Sequence, residues 1–170
     1  STLAITEEMK KQGFDVEFKA TGQTGVMIVG SGICIDAVVA DFISGGIEEL
    51  SPAADENHWD VIEGQGSLFN PAFAGVSLGL LHGAQPDIIV MCHEANRPHI
   101  KGMPHMPIPD MADCIALNLK QARLTNPMVK LGGIALNCRN LSAEEGEKQR
   151  TALEAEFGVP CFDPMITGSA

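Results

Sequence analysis

Short apolar runs alternate with amphipathic segments along nearly the whole chain, and this alternation constrains the fold more than any other feature. Residues 59–62, 87–91 and 131–136 are apolar on both faces, as expected of strands in the middle of a parallel sheet. Between them lie stretches with the three-and-four spacing of helices. Strand–helix–strand repeats of this kind make parallel crossovers with helices on both sheet faces. The expected fold class is α/β, a three-layer α/β/α arrangement around a mostly parallel sheet. No internal repeat or linker divides residues 1–170, so one domain suffices.

The pattern predicts a helix over 2–12 stopped by Gly13, then a strand from Phe14 to Ala20 with one wet face. A glycine-rich loop, Thr21 to Gly25, leads into the apolar run Val26 to Val29. Residues 33–50 carry the best helical periodicity. A helix over 72–81 is expected to lie close to the sheet through Gly75 and Gly79. Four prolines and three histidines in 93–109 predict a long irregular loop, of the kind that is usually functional. A helix over 110–124 follows. Ser142 to Glu145 reads as a capping box opening the last helix, which ends at Gly158.

The charge balance narrows the partners. With 22 acidic and 11 basic residues, the net charge is -11, which argues against a nucleic-acid backbone as ligand. An anion would have to be held by backbone N–H groups or a metal. The five scattered cysteines contain no CxxC pair and fit a reducing compartment. No apolar run approaches the roughly 20 residues that span a bilayer. The expectation is a cytoplasmic protein with a small-molecule substrate, no nucleic acid and no membrane. The chain opens on Ser1 rather than Met and reads as part of a longer protein.

In an open parallel sheet, ligands bind beyond the carboxyl ends of the strands. The polar residues there are the candidates. Glu63 ends an apolar strand and is followed by Gly64-Gln65-Gly66, which leaves a carboxylate beside bare backbone. It suits an oxygen ligand for Mg²⁺; a carboxylate capping the turn is the alternative. Thr21, Gly22, Gln23, Thr24 and Gly25 could wrap a phosphate or carboxylate, or simply turn the chain. His93 and Glu94 are candidates for acid–base chemistry, and Arg97 for gripping an anion. Zinc ligation by His93, His99 and His105 is disfavoured, because their spacing matches no tight ligand pair. Asn137 could contact a base edge or substrate, or form a turn. Asp36 reads as a helix-start acid and Asp41 as a buried, paired one. His82, late in its helix, suits the helix dipole.

Ile62 to Gly66 and Gly133 to Asn137 resemble two segments of the dethiobiotin synthetase and cobyrinic acid amide synthase branch of P-loop proteins. There the first supplies a metal-site acid and the second a base-contacting Asn. A wider ordered set is similar to the C-terminal P-loop domain of the D-glutamate N-acetyltransferase-like family: Thr21 to Gly25, Ile35 to Phe42, Glu63 to Leu68, Gly79 to Gly83, His93-Glu94 with Arg97, Gly133 to Asn137, and Asp163-Pro164. This resemblance implies a P-loop NTPase-like fold with its Gly-Lys phosphate loop just upstream of Ser1. It also implies an N-terminal Rossmann-like domain outside this chain.

The activity implied is acetyl transfer from acetyl-CoA to D-glutamate. His93 or Glu94 would act as base, with Arg97 and the 21–25 loop on substrate carboxylates or cofactor phosphates. One alternative is an ATP/Mg-dependent ligase or kinase-like enzyme, with Glu63 on Mg²⁺ and Asn137 on adenine. Another is a non-catalytic nucleotide-binding or assembly domain. Its apolar helices would bury a homo-oligomer interface.

Overall fold

The first helix, α1 (Thr2–Lys11), ends as the sequence predicts, at Gly13 with φ +88°. It lies against the first strand, β1 (Asp15–Lys19), whose Val16 and Phe18 turn inward while Asp15 and Glu17 face water. The computed structural model describes residues 1–165. After β1 the chain departs from the expected loop. Gln23–Val29 form a short helix, α2, which leaves Met27, Ile28 and Val29 exposed. The segment returns through Gly32, where backbone hydrogen bonds from Ile33 to Ala20 (3.0 Å) and from Ile35 to Thr21 (2.9 Å) close its base.

The periodic stretch 33–50 is a helix only at its end. Residues 35–37 and 40–42 make single 3₁₀ turns, and α3 covers Ile43–Leu50. Val38 and Val39 between the turns are extended (ψ 138° and 134°), a conformation that β-branched residues favour. Ile35, Ile43, Ile47 and Leu80 nonetheless gather in one core. The apolar spacing therefore marked the buried side chains correctly, although the backbone between them is not helical. Asp41 is exposed, not buried as expected.

β2 (His58–Ile62) runs parallel to β1, with Glu17 opposite Asp60 and Lys19 opposite Ile62. Helix α4 (Ala74–Ala84) follows. Its close approach is to α3 and not to the sheet. A Cβ on Gly79 would fall 2.6 Å from Ile43, and one on Gly83 would fall 2.4 Å from the Ser44 carbonyl, whereas Gly75 has open space.

β3 (Ile88–Glu94) pairs in parallel with β6 (Lys130–Asn137), which pairs in turn with β7 (Cys161–Phe162). The 93–109 segment is more regular than expected. Met103–Pro107 (β5) and His99–Ile100 (β4) form a small antiparallel hairpin turning at Gly102, φ +80°. Its prolines are tolerated because each strand has only one paired edge. α5 (Met111–Ala122) is capped by Asp110. α6 (Ala143–Phe157) has the predicted capping box and stops at Gly158, φ +66°.

The architecture is therefore mixed α/β with parallel sheets, as the alternation of runs predicts. One expectation fails. Only β6 is buried along its centre, while β2 and β3 are half-exposed. Among the described residues no ladder joins β2 to β3, so the parallel strands fall into two sheets, β1-β2 and β3-β6-β7.

Candidate functional site

Two constellations form at the carboxyl ends of the strands. The first is built on β1 and β2. Glu63 follows β2 directly, and one of its carboxylate oxygens, Oε2, accepts the backbone N–H groups of Thr21 (3.1 Å) and Gly22 (3.2 Å). The Thr21 hydroxyl, fully buried, donates back to the Glu63 carbonyl at 2.7 Å, and Gln65 Nε2 donates to that hydroxyl at 3.2 Å. Space here is tight by design. A Cβ on Gly22 would fall 2.5 Å from Gln65 Nε2, and one on Gly25 would fall 2.5 Å from Glu63 Oε2.

Beside this knot opens a cleft of about 280 Å³ lined by Gly22, Gln23, Thr24, Asp36, Glu63 and Gln65. Gly64 and Gly66 lie at its edge in sequence. Gly66 takes φ +58° and would clash with Phe73 if it carried a side chain. The expected grouping of the 21–25 loop with Glu63 and Gln65 is present. Asp36 joins it while also standing in the first turn of the 3₁₀ helix at 35–37, the helix-start position expected from sequence. Its proximity to Glu63 is a tertiary fact, and the only sequence hint was an acid following the glycine-rich stretch.

The cleft's side-chain donors to a cation are all oxygens, namely Glu63, Asp36, Thr24 and the amides of Gln23 and Gln65. That set suits Mg²⁺, which takes one or two carboxylates and keeps waters or phosphate oxygens for the rest. The tightest grouping of potential metal ligands among the described residues lies elsewhere, at Glu17, His58 and Asp60. The Lys19 ammonium already sits there, 2.8 Å from Glu17 and 3.5 Å from Asp60. His93, His99 and His105 form no such cluster among the described residues.

The second constellation sits at the neighbouring tips of β3 and β6. His93 and Glu94 belong to β3 itself and do not follow it, and Glu94 lies in register with Asn137. Glu94 is the hub. It pairs with Arg97, and its other oxygen meets Arg139 (3.5 Å) and Asn140 (3.1 Å). Arg139 lies in the polar stretch after β6 that the sequence marks as a strand-tip candidate, whereas Asn140 was not singled out. Asn137 uses its side-chain oxygen to accept the Arg139 N–H at 3.1 Å, which is the turn-forming role.

Burial holds the His93 imidazole below the usual histidine range, with a further lowering from the Arg97 guanidinium. His93 is therefore neutral at neutral pH and able to accept a proton. His82 lies in the last turn of α4, as the sequence expects, and its Nε2 is buried without a hydrogen-bond partner. Among the described residues no hydrogen bond or ion pair joins the Glu63 group to the Glu94 group. Helices are present throughout, but among the described residues none is long and apolar enough to cross a membrane.

Comparison with known proteins agrees with this architecture. The family model described as "Domain of unknown function (DUF1611_C) P-loop domain" matches residues 1–170. A D-glutamate N-acetyltransferase of a Pseudoalteromonas species is 54% identical over 168 residues, which is 99% of this chain and 51% of that protein. One from Tritonibacter scottomollicae is 41% identical over 169 residues, with 99% and 51% covered. The crystal structure of a DUF1611 family protein from Anabaena variabilis superposes with a TM-score of 0.92 at 35% identity, covering 99% of this chain and 49% of that one. The chain thus spans about half the length of the curated relatives it matches. By fold, by the ordered residues at its strand tips and by a match along its entire length, the chain belongs to the DUF1611_C P-loop domain family.

Proposed function

We propose that this chain is the C-terminal P-loop half of an N-acetyltransferase that moves the acetyl group of acetyl-CoA to the amine of D-glutamate. One observation carries the reading: two relatives with that name match 99% of the chain, at 54% and 41% identity. The chemistry at the strand tips supports it. The substrate ammonium must lose a proton before its nitrogen can attack, and the neutral His93 takes it. The nitrogen then adds to the thioester carbonyl, the C–S bond breaks as the attached nitrogen gives up its second proton to solvent, and the departing CoA thiolate recovers the first proton from the imidazolium.

Arg97 and Arg139, held together on Glu94, offer two cations to the substrate's carboxylates, a role in which Arg forks excel. Glu94 positions them. The polar cleft formed by Thr21 to Gly25 with Glu63, Gly64, Gln65 and Gly66 receives the phosphates of the cofactor. Glu63 and Asp36 would hold Mg²⁺, whose chemistry there is neutralising phosphate charge. Five free cysteines suit a reducing, cytoplasmic setting. The exposed Val39, Phe42 and Phe73 suit a covered interface, in a homo-oligomer or with the rest of the protein.

Turnover of D-glutamate with acetyl-CoA by the full-length protein tests the proposal. His93→Gln should lower kcat by about 10²–10⁴-fold, as loss of a general base does. Glu94→Gln should act mainly through KM. Unchanged rates for both variants would remove this site from the mechanism. The oxygen-lined cleft favours a second reading, an ATP·Mg-dependent enzyme. Calorimetry on the full-length protein with ATP·Mg and with acetyl-CoA separates the two.

A further inference from the structure

We propose that Asn96 and Gln149 are positioning residues for the site at the tips of β3 and β6: together they hold the turn after β3 in the conformation that brings Arg97 back onto Glu94 and near His93. The inference rests on the reading of His93, Glu94 and Arg97 as a substrate site, and it adds two residues that act through Arg97.

The first observation is a backbone conformation. Among the described residues, Gln85 and Asn96 are the non-glycine residues with positive φ, at +44° and +56°. Gln85 closes the end of α4, a usual place for a left-handed residue. Asn96 ends no helix. Asn enters the left-handed region at lower cost than most residues, but it stays there only where its surroundings select that conformation.

The second is what the turn accomplishes. Were β3 to continue straight, Arg97 would lie about 10 Å beyond Glu94, with its side chain on the opposite face. The chain folds back at Ala95 and Asn96 instead, and the Arg97 guanidinium pairs with the Glu94 carboxylate. Ala95 is the fixed side of this turn. It is 4% exposed, packs in the core with Ile134 and Leu136, and donates its N–H to the Asn137 carbonyl at 3.1 Å. Asn96 is the exposed side, and its side-chain oxygen accepts Gln149 Nε2 at 3.0 Å.

The third is the quality of that anchor. α6 is seated independently of the turn, with its own capping box. A Cβ on buried Gly146 would fall 3.2 Å from Cys138, so the helix lies close against the residue that follows β6. Gln149 and Leu153 continue the same helix face, and Leu153 packs into the core. The hydrogen bond thus fastens an exposed turn to a packed helix. Asn140 meanwhile holds the other Glu94 oxygen at 3.1 Å. The Glu94–Arg97 pair is therefore braced by α6 on one side and by the loop before α6 on the other.

His93 reports where Arg97 sits. Burial is the main cause of its lowered pKa; the Arg97 charge adds to the lowering and the Glu94 charge opposes it. Gln149→Ala removes the hydrogen bond and leaves a strong helix former in α6. Asn96→Gly removes the same bond and leaves the left-handed backbone accessible. In the full-length protein, each variant should raise the His93 pKa, read by NMR without substrate, in the direction that Arg97→Ala moves it. Each should also raise KM for D-glutamate about 2–10-fold, the worth of one hydrogen bond, with kcat little changed. In an Arg97→Ala background, Gln149→Ala should add nothing to either readout. An unmoved His93 titration in Gln149→Ala or in Arg97→Ala would overturn the proposal, as would effects of Gln149→Ala that persist without Arg97. Failure of D-glutamate as a substrate counts against the acetyl-transfer reading alone, since the His93 titration decides the positioning role without it.

Discussion

Thr21 and Glu63 hold each other twice: the Thr21 N–H donates to the Glu63 carboxylate, and the Thr21 hydroxyl donates to the Glu63 carbonyl. These two bonds, both donated by Thr21, tie the tip of β1 to the tip of β2 where the cleft begins. Replacing Glu63 by Ala leaves two backbone N–H groups, on Thr21 and Gly22, without their acceptor. The expected cost is about 1–3 kcal/mol, the usual penalty for stranded donors, measured by urea denaturation. Glu63→Gln keeps an acceptor and should lose less. A Glu63→Ala protein as stable as the parent would show that the pair contributes nothing.

Glycine positions differ sharply in what they tolerate. A methyl group on buried Gly25 would meet the Glu63 carboxylate at 2.5 Å and Ala20 at 3.0 Å. Gly25→Ala should therefore destabilise the protein and weaken ligand binding in the cleft together. Gly45, in α3, has open space around it. There an alanine should raise stability by about 0.5–1 kcal/mol, through helix propensity alone. Thermal melts of the two variants should move in opposite directions.

His93 makes acid sensitivity a specific expectation. Its folded pKa lies below the unfolded value, so the unfolded chain binds the proton more readily. Stability from this group is complete above about pH 6.5 and is lost as pH falls through the folded pKa. His93→Gln should flatten that part of the stability–pH curve. In the full-length protein, kcat/KM should fall on the acid limb with a midpoint under the ordinary histidine value. An acid-limb midpoint above it would exclude His93 as the base.

His58 should behave in the opposite sense. Its ring lies between Asp15 (2.9 Å) and Asp60 (3.1 Å), and these hydrogen bonds, Asp15 first, raise its pKa. The stabilising contribution is fully present below the unfolded pKa and disappears as pH rises through the folded one. An NMR titration should find His58 titrating above the usual range and dropping toward it in Asp15→Asn. No change in that variant would mean that the ion pair is not formed in solution.

Local chemistry was readable where it decides structure locally. The Ser142–Glu145 box and Gly158 bracket α6 without help from the rest of the fold. The acid–Gly-x-Gly pattern likewise singled out Glu63. Where tertiary packing decides, the sequence misled. Apolar residues at 33–50 fill the Ile35–Ile47 core from a backbone that is extended at Val38 and Val39. The hairpin at 99–107 was hidden by prolines that only a sheet with free edges tolerates. The grip of Arg139 and Asn140 on Glu94 follows from the register of β3 with β6, which no single segment encodes.

The two hydrogen bonds from Ile33 and Ile35 to Ala20 and Thr21 form a neck from which α2 hangs. The inner face of α2 is held as well, since Gly25 packs against the Glu63 carboxylate. Substitutions at Met27 or Ile28 on its exposed face are therefore expected to leave the affinity of the cleft for a ligand unchanged.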